Sequence, residues 1–295
     1  MNTPTLPVDF LVSYHYFQRD ADMSTRTQTH LRLIADSGAF SAYTQGVRID
    51  LDEYAAWVKR WRDHLYWAAA LDVFGDPATT YRNWSYLRDR HGLETVPTIH
   101  IGADPTHLDT YAAEGVDFVG LGGMVGMPKP NVLRWLVHVM RYARDHHPQM
   151  RFHAWGMSSH SVLEKLPLYS VDSSGPLAYI HRYAVLYLYS TRTRTMHTLD
   201  MKKGVPHKYR RLLGQEYATT PQALHPVGSH NWDLLETLTV LSTQRRAQHL
   251  QRLHQVTPPR WGINPRAHPP LGPRIHLVQR DPRSLQHLDP KQGAA

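Results

Sequence analysis

The sequence predicts an α/β fold, namely a (β/α)8 TIM-type barrel with a basic C-terminal extension. From residue 8 to residue 172, short apolar runs rich in β-forming residues alternate with amphipathic helical stretches, which is the pattern of a parallel sheet built from βαβ units. No glycine-rich dinucleotide-binding motif follows the first strand, and this disfavours an open doubly wound sheet. The length of 295 residues suits a single barrel domain.

Seven apolar runs are predicted to be the strands of this sheet, at residues 10–16, 31–35, 66–71, 95–101, 118–121, 151–154 and 168–171. An eighth strand is placed at residues 184–190. Helices at residues 51–64 and 131–146 carry their apolar residues along one face, as amphipathic helices do. A closing helix is expected at residues 231–254.

One domain is expected over residues 1–256, including a basic segment at residues 192–214. The remaining residues, 257–295, contain eight of the 21 prolines and show little periodicity. They are therefore predicted to form an extended or disordered tail outside the barrel. Deleting such a tail would leave the melting temperature almost unchanged.

The composition excludes several classes of protein. With 41% hydrophobic and 20% charged residues, the chain has enough apolar material for a core. It has no cysteine, which excludes disulfides, thiolate catalysis and cysteine-ligated zinc or iron–sulfur sites. Its longest apolar run, at residues 65–71, is far shorter than the roughly 20 residues that cross a membrane. The first eight residues show no secretory signal, so a cytoplasmic location without a membrane span is expected.

The positive charge is concentrated in the last two fifths of the chain. Residues 1–175 contain 16 Lys and Arg against 19 Asp and Glu, a net charge of −3, while residues 176–295 contain 17 against 6, a net charge of +11. Such asymmetry indicates a surface that binds a polyanion, most commonly nucleic acid, beside a near-neutral body. A solvated basic face is the alternative.

Candidate functional residues follow the predicted strands at the point where each strand ends. In barrels of this kind the C-terminal strand ends carry the reactive groups. Taken singly, an aspartate at such a position usually caps a helix or turn, and a glycine pair usually forms a tight turn. In chain order, the candidates are Asp36, Phe40, Asp72, His100, Gly122, Gly123, Met124, His153, Trp155, Met157 and Asp172.

Taken together, these residues suit chemistry on a nucleotide. Two carboxylates that face each other across a pocket allow substitution at a sugar anomeric carbon, because one attacks while the other exchanges protons with the leaving and entering groups. Adjacent glycines let backbone N–H groups approach a planar ligand, and Phe40, Trp155 and Met157 could sandwich a base.

Four motifs in this order resemble the tRNA-guanine transglycosylase superfamily. They are DSGAF at residues 36–40, GGM at 122–124, HAWGM at 153–157 and the aspartate of VDSSG at 171–175. The variants DSGAFS, HAWGMSS and VDSSG look most like the phage branch, whose members place 7-deazaguanine bases in DNA. The resemblance covers residues 31–175, about half of the chain.

The resemblance implies a role for each matching residue. Asp172 would be the nucleophile that attacks C1′ of the target nucleotide and expels guanine. Asp36 would be the general acid/base, protonating the departing guanine and deprotonating the incoming base. Phe40 would stack on the base, and Asp72 would accept hydrogen bonds from the N1–H and the amino group of the base.

The other matching positions are also expected to contact the base. Met157 would close its opposite face, and the backbone of residues 122–124 would donate to its carbonyl. Where the tRNA enzymes carry a glutamine this sequence has His100, so recognition of the five-membered ring is expected to differ. The full expected base-binding set is Phe40, Asp72, His100, Gly122, Gly123, Met124, His153, Trp155 and Met157.

One departure from the family concerns the nucleic acid. The tRNA enzymes hold zinc on three cysteines and one histidine, a site that this cysteine-free chain cannot form. Because that zinc subdomain helps to hold tRNA, its loss favours DNA as the substrate. In its place the sequence has residues that are expected to contact phosphates, namely Arg192, Arg194, Lys202, Lys203, Lys208, Arg210 and Arg211.

The sequence therefore predicts a pentosyltransferase that exchanges guanine in DNA for a free 7-deazaguanine base such as preQ0, with no metal and no cofactor. DNA modified in this way would resist restriction enzymes that read guanine in the major groove. For a phage-encoded enzyme, the location would be the host cytoplasm, with helper proteins for duplex opening as further candidate partners. The alternatives are tRNA as the substrate, a barrel that binds nucleic acid or base without catalysis, and an unrelated sugar-processing barrel.

Overall fold

A computed structural model of the chain describes residues 8–27, 31–224, 229–267 and 269–279. Within these residues the strands are, in chain order, β1 (Val8–Ser13), β2 (Leu31–Asp36), β3 (Leu65–Ala68), β4 (Thr98–His100), β5 (Phe118–Gly122), β6 (Arg151–Ala154), β7 (Ser170–Ser173), β8 (Val185–Ser190), β9 (Thr195–Asp200) and β10 (Arg274–Gln279). Eight of them form one parallel sheet in the order β3-β2-β1-β10-β7-β6-β5-β4. The seven strands predicted for the sheet are all present in it, with shifts of a few residues at their ends.

Helices connect the strands, as βαβ units require. They are α1 (Asp20–Thr27), α2 (Ala39–Thr44), α3 (Leu51–Trp61), α4 (Pro77–His91), α5 (His107–Ala113), α6 (Lys129–His146), α7 (His160–Leu163), α8 (Gly175–Tyr183), α9 (Pro221–Leu224) and α10 (Trp232–His254). The side chains of Asp50 and Asp76 accept backbone N–H groups and thereby begin α3 and α4. None of the helices that the structure describes combines the length and apolar character of a membrane-spanning segment.

The sheet curls so that its two ends approach each other. The residues next to β3 and β4, the two end strands, form one parallel bridge between Ala69 and Val96. There the N–H of Ala70 donates to the carbonyl of Val96, and the N–H of Val96 donates to the carbonyl of Ala68, both at 2.8 Å. The predicted α/β class and a TIM-like curled sheet are confirmed, but β3 and β4 meet only at this bridge and do not close the barrel by a continuous ladder.

Large aromatic side chains fill the interior of the curled sheet. The ring of Trp67 stands edge-on to that of Phe118 at 5.2 Å between centroids, and Phe118 meets Tyr169 in the same way at 5.5 Å. All three side chains are almost completely buried. The interior of the curled sheet is therefore a packed core, as in barrels of this type.

The eighth strand of the sheet comes from the proline-rich C-terminal segment. β10 lies between β1 and β7 and pairs in parallel with both, with Leu277 opposite Phe10 and Ile275 opposite Val171. The prediction that residues 257–295 form a tail outside the barrel is wrong for this strand. A domain boundary at residue 256 would separate β10 from the other strands of the sheet. Residues 268 and 280–295 of the predicted tail lie outside the described residues.

There is a physical reason why the sequence did not predict strand β10. In β10, residues 274–277 alternate between polar and apolar types, but the stretch is short and follows a segment with several prolines, and both faces of the strand are buried. Its polar residues Arg274 and His276 are nevertheless almost completely buried. Arg274 and Arg32 both bond to Asp9, the latter at 2.7 Å. This buried cluster joins the neighbouring strands β2, β1 and β10.

Residues 256–267 carry the chain from α10 across the N-terminal face of the sheet. The carboxylate of Asp117 accepts the backbone N–H groups of Arg260 at 3.0 Å and Trp261 at 2.8 Å. Further along, the N–H of Asn264 donates to the carbonyl of Tyr66 at 2.9 Å. These bonds hold the segment against the starts of β3 and β5.

The basic region is an insertion between β7 and β10, not a C-terminal extension. The strand predicted at residues 184–190 exists as β8, but it pairs with β9 in a separate antiparallel hairpin. Leu186 and Leu199 of this hairpin pack against Leu235 of α10 in a second core, whereas Leu250 of the same helix packs in the main core. The helix α10 therefore ties the insertion to the barrel.

Candidate active site

A cavity of about 1800 Å³ opens at the C-terminal end of the sheet. Asp36 ends β2, Asp72 follows β3 and Asp172 lies within β7, and all three line this cavity. Of the eleven residues that the sequence analysis assigned to catalysis and base binding, ten line it and one, His153, does not. The convergence follows from the parallel sheet, because the C-terminal ends of all its strands meet on one side.

Asp172 is held by two donors that share one of its carboxylate oxygens. The backbone N–H of Gly156 donates to Oδ1 at 2.8 Å, and Nε2 of His153 lies 3.2 Å from the same oxygen. No residue in the described part of the chain donates to Oδ2. The residue is only 6% exposed but reaches the cavity, so one oxygen fixes the carboxylate and the other is free to react.

His153 bonds to Asp172 and does not line the cavity. Its ring is completely buried, and its Nδ1 lies 2.8 Å from the hydroxyl of Ser170. Burial lowers the pKa of His153, so the ring is neutral near pH 7. Because an ionised carboxylate only accepts hydrogen bonds, we assign the single ring proton to Nε2, which donates to Asp172. The expectation of direct base contact is thus corrected: His153 lies within β6, below the cavity floor.

Asp36 has a pKa suited to proton transfer near neutral pH. Removal from water raises it most, and the negative charges of Asp72 and Asp172 add to the effect, so that the pKa rises from 3.8 to about 7. A hydrogen bond from the N–H of Gly38 to Oδ2, at 3.0 Å, opposes part of this rise. Such a group is both protonated and ionised in part at neutral pH, as a general acid/base must be.

The turn after β2 requires a glycine at position 38. Gly38 has a φ of +78°, in the left-handed region that other residues rarely occupy. A Cβ atom there would lie 2.5 Å from both the Cβ of His15 and the Oγ of Ser13. The DSG sequence therefore folds as a tight turn against the end of β1, and this turn places Asp36 at the cavity and α2 above it.

Asp72 is paired with His100. Nε2 of His100 lies 2.7 Å from Oδ2 of Asp72, and the ring of Phe74 stands edge-on to the imidazole at 5.5 Å between centroids. Among the described residues none donates to Oδ1 of Asp72. His100 is thus a positioning residue for Asp72 as well as part of the cavity wall, and Oδ1 is the oxygen that remains for a ligand.

The backbone donors expected at residues 122–124 are only partly available. The carbonyl of Gly122 accepts the N–H of Ile101 at 2.9 Å. Since the N–H and carbonyl of one strand residue point to the same neighbour, the N–H of Gly122 faces β4 and not the cavity, which corrects its expected role. No described residue accepts from the N–H of Gly123 or Met124, and these two remain as candidate donors to a ligand.

Trp155 closes the floor of the cavity. Its Nε1 donates to Oγ1 of Thr98 at 3.1 Å, and its ring stands edge-on to that of His153 at 4.2 Å between centroids. The indole fits because residue 120 is glycine: a Cβ there would lie 2.4 Å from Nε1 of Trp155. The tryptophan thereby separates the buried His153 from the cavity.

Phe40 and Met157 lie on different parts of the cavity. Phe40, on α2, is 58% exposed at the mouth, while Met157 is buried in the main core and reaches the cavity with one side. A planar ligand bound at the floor carboxylates would therefore lie beneath Phe40, and the exposed ring of Phe40 would be available to stack on it.

The seven basic residues expected to contact phosphates are all exposed, but they do not form one element. Arg192 and Arg194 lie in the turn between β8 and β9, whereas Lys202 and Lys203 follow β9 at the other end of the hairpin. Six residues of strand separate the two ends, a distance of about 20 Å. The other three, Lys208, Arg210 and Arg211, lie in the short helical turns that follow.

Two contributors to the site were missed in the sequence. Gly156 supplies a backbone donor to Asp172, and Ser170 orients His153. A signal for Ser170 was available, since residues two apart on a strand share a face and position 170 lies two before Asp172. The donor at Gly156 depends on backbone geometry that the sequence does not display.

Comparison with known proteins adds no relative. In the part of the chain that the structure describes, no group of three His, Asp or Glu side chains is arranged to hold a metal ion. No family model matches the chain, and no curated protein matches it either.

Proposed function

We propose that this chain is a transglycosylase that exchanges guanine in DNA for a free 7-deazaguanine base by double displacement. The observation that carries the proposal is the contrast between two carboxylates in one cavity. Asp172 has one oxygen fixed by two donors and the other free, as a nucleophile needs. Asp36 has a pKa of about 7, as a group that alternates between acid and base needs.

In the first half of the reaction, Oδ2 of Asp172 attacks C1′ of the target nucleotide. The new bond is an ester between the aspartate and the sugar, and the bond between C1′ and N9 of guanine breaks with its electron pair leaving on the base. Asp36 gives its proton to the departing guanine. The products are a covalent sugar–Asp172 adduct, neutral guanine and an ionised Asp36.

In the second half, the ionised Asp36 takes the proton from N9 of the incoming 7-deazaguanine. N9 then attacks C1′, and the ester bond to Asp172 breaks with its electron pair returning to the carboxylate. Asp36 is protonated again at the end. Neither half consumes a cofactor, because the glycosidic bond energy is conserved through the ester.

The residues around the floor favour guanine-like bases over adenine. A carboxylate oxygen can accept hydrogen bonds from the N1–H and the amino group of guanine. In this cavity the available acceptor is Oδ1 of Asp72, because Oδ2 is bonded to His100. The N–H groups of Gly123 and Met124 suit the O6 carbonyl of the base. Adenine presents an acceptor at N1 and a donor at its sixth position, the reverse polarity, so both interactions would be lost.

The choice of DNA rests on sequence features. The motif variants look like those of the phage branch, the chain cannot form the cysteine-based zinc site of the tRNA enzymes, and the insertion between β7 and β10 carries the seven exposed basic residues of the segment 192–214. Exchange into tRNA by the same two carboxylates is the second candidate, supported by the chemistry that both branches share.

The test is incorporation of labelled guanine into DNA and into tRNA, assayed side by side with wild-type protein and with Asp172→Asn. We expect incorporation into DNA by the wild type, none by the variant, and a denaturant-resistant protein–DNA adduct with the wild type alone. Incorporation into tRNA alone would replace DNA by tRNA as the substrate. No incorporation into either, without an adduct, would refute the transglycosylase.

A further inference from the structure

The mouth of the cavity is unusually apolar and aromatic for an exposed surface. On the described part of the chain, eight of the twelve large hydrophobic side chains that are exposed line this one cavity. Five of the eight are aromatic rings, namely Phe40, Tyr43, Phe74, Tyr86 and Tyr179. Such a concentration at one mouth marks a binding surface, since exposed apolar residues are otherwise scattered.

The cavity is also larger than the reaction needs. Its volume of about 1800 Å³ exceeds the roughly 300–1,000 Å³ of pockets that enclose a drug-sized ligand. One target nucleotide and its base at the floor would leave much of the mouth open. Tyr43 is 71% exposed and Phe74 56% exposed, so their ring faces are available to further planar groups.

The charges at the mouth fit a phosphate backbone. Arg48 and Lys129 are exposed and line the cavity, and neither has an ion-pair partner within the described residues. The carboxylates on the same wall are already engaged: Asp50 accepts the N–H groups that begin α3, and Asp52 accepts from Tyr86 at 2.9 Å and contacts His91 at 2.8 Å. Arg48 and Lys129 are therefore cations at the mouth that no carboxylate of the described residues pairs with.

Aromatic rings interleaved with unpaired cations are the features that bind single-stranded nucleic acid. Each base face stacks on a ring without regard to sequence, while the cations follow the backbone. In a duplex those faces are covered by the neighbouring bases, so rings at a cavity mouth gain nothing from intact double-stranded DNA.

We propose that the mouth of the cavity, formed by Tyr43, Phe74 and Tyr179 with Arg48 and Lys129, binds the unpaired nucleotides that flank the target base. The substrate is then single-stranded DNA. The inference rests on the proposed function for the position of the target guanine at the floor. The strand leaves the mouth over Tyr179, whose ring lies 5.6 Å from that of Tyr187 on β8, and so reaches the basic insertion.

The test measures binding of the full chain to a fluorescent oligonucleotide of about 12 nucleotides with one central guanine. The same sequence is used as a single strand, as a duplex, and as a single strand whose nucleotides beside the guanine lack bases. The variants are Tyr43→Ala and Tyr179→Ala, which replace exposed rings of the mouth. The matched control is Trp232→Ala, which removes an exposed ring that does not line the cavity.

We expect the wild type to bind the single strand at least tenfold more tightly than the duplex. Each mouth variant should weaken single-strand binding by about 5- to 150-fold, the range found for loss of one base–aromatic stack, and Trp232→Ala should not. The variants should have little effect on the oligonucleotide that lacks the flanking bases, because the ring then has no stacking partner.

Equal binding of duplex and single strand, or mouth variants that bind the single strand like the wild type, would overturn the inference. So would a loss that is equal for the intact and the base-lacking oligonucleotide, since that would be a structural effect. Failure of the proposed function is separate: it would appear as absence of guanine exchange while binding still depends on Tyr43 and Tyr179.

Discussion

Replacement of Asp36 by asparagine should make the protein more stable at pH 8 while it removes the proposed acid/base catalyst. In the folded protein, removal from water and the charges of Asp72 and Asp172 raise the pKa of Asp36 from 3.8 to about 7. At pH 8 the folded protein therefore holds an ionised Asp36 in an unfavourable environment. Asparagine has nearly the same size, accepts the N–H of Gly38 equally well and carries no charge.

The sign of the effect follows from the proton balance. Below about pH 4, Asp36 is protonated in both the folded and the unfolded protein and does not lower the free energy of unfolding. Between about pH 4 and 7 the unfolded chain loses the proton while the folded protein keeps it, so the contribution of Asp36 to stability falls as the pH rises. Above about pH 7 both states are ionised and the cost is constant. At about 1.4 kcal/mol per pH unit this cost approaches 4 kcal/mol, and water in the open cavity reduces it to about 2–4 kcal/mol.

The assay is urea unfolding of the wild type and of Asp36→Asn between about pH 5 and pH 8.5. Only the difference between the two proteins is interpreted, because the other ionisable groups of the chain are common to both. The difference should grow up to about pH 7 and then level off, while guanine exchange falls by roughly 10²–10⁴-fold. Asp145→Asn is the control: Asp145 is exposed and its hydrogen bond from Arg144 lowers its pKa, so no gain is expected there. An Asp36→Asn protein no more stable than the wild type at pH 8 would refute the argument.

Four further outcomes are expected. Asp172→Asn should abolish exchange and the denaturant-resistant adduct with little change in melting temperature, and full activity in this variant would exclude Asp172 as the nucleophile. In urea unfolding, Leu277→Ala should cost about 2–5 kcal/mol because the side chain is fully buried in β10, whereas Leu271→Ala, at a residue 45% exposed, should cost less than about 0.5 kcal/mol; equal costs would contradict the placement of β10. Exchange should survive EDTA, and loss of activity together with a tightly held metal would reveal a histidine-based site. Titrations at several salt concentrations should show lower DNA affinity, a salt dependence flatter by about 3–4 in the log–log slope and unchanged affinity for the free base when neutral residues replace Lys202, Lys203, Arg210 and Arg211.

The C-terminal ends of the strands were predictable because each apolar run is followed directly by a polar residue. Asp36 and Asp172 belong to different runs, yet the parallel arrangement sends both to one side of the sheet. The sequence therefore predicted which side chains share the cavity. It did not predict which of them bond to each other. The pairs His153–Asp172 and His100–Asp72 depend on the register of the strands, which sets the height of each side chain relative to its partner on another strand.

The periodicity of β10 was too short to predict the strand, because only residues 274–277 alternate between polar and apolar side chains. Its neighbours in the sheet, β1 and β7, lie more than 100 residues earlier in the chain, so only a long-range contact defines its place. Pro273 precedes it directly, and Arg274 reads as a surface residue although it is buried beside Asp9. A short alternation that directly follows a proline-rich segment, and whose polar residues are buried, is not distinguished by local sequence from the rest of that segment.

The position of the insertion links the proposed DNA-binding surface to Asp172, the proposed nucleophile. The insertion leaves the sheet after β7, which carries Asp172, and returns through α10 to β10, where His276 lies opposite Asp172 in the register. The insertion therefore joins the strand that carries Asp172 to the strand beside it. Neutralising its exposed charges should change the proposed DNA binding without moving these strands, whereas deleting the insertion would shorten the connection between β7 and β10 and should displace Asp172 itself. Point substitutions at the surface thus separate binding from chemistry, and a deletion does not.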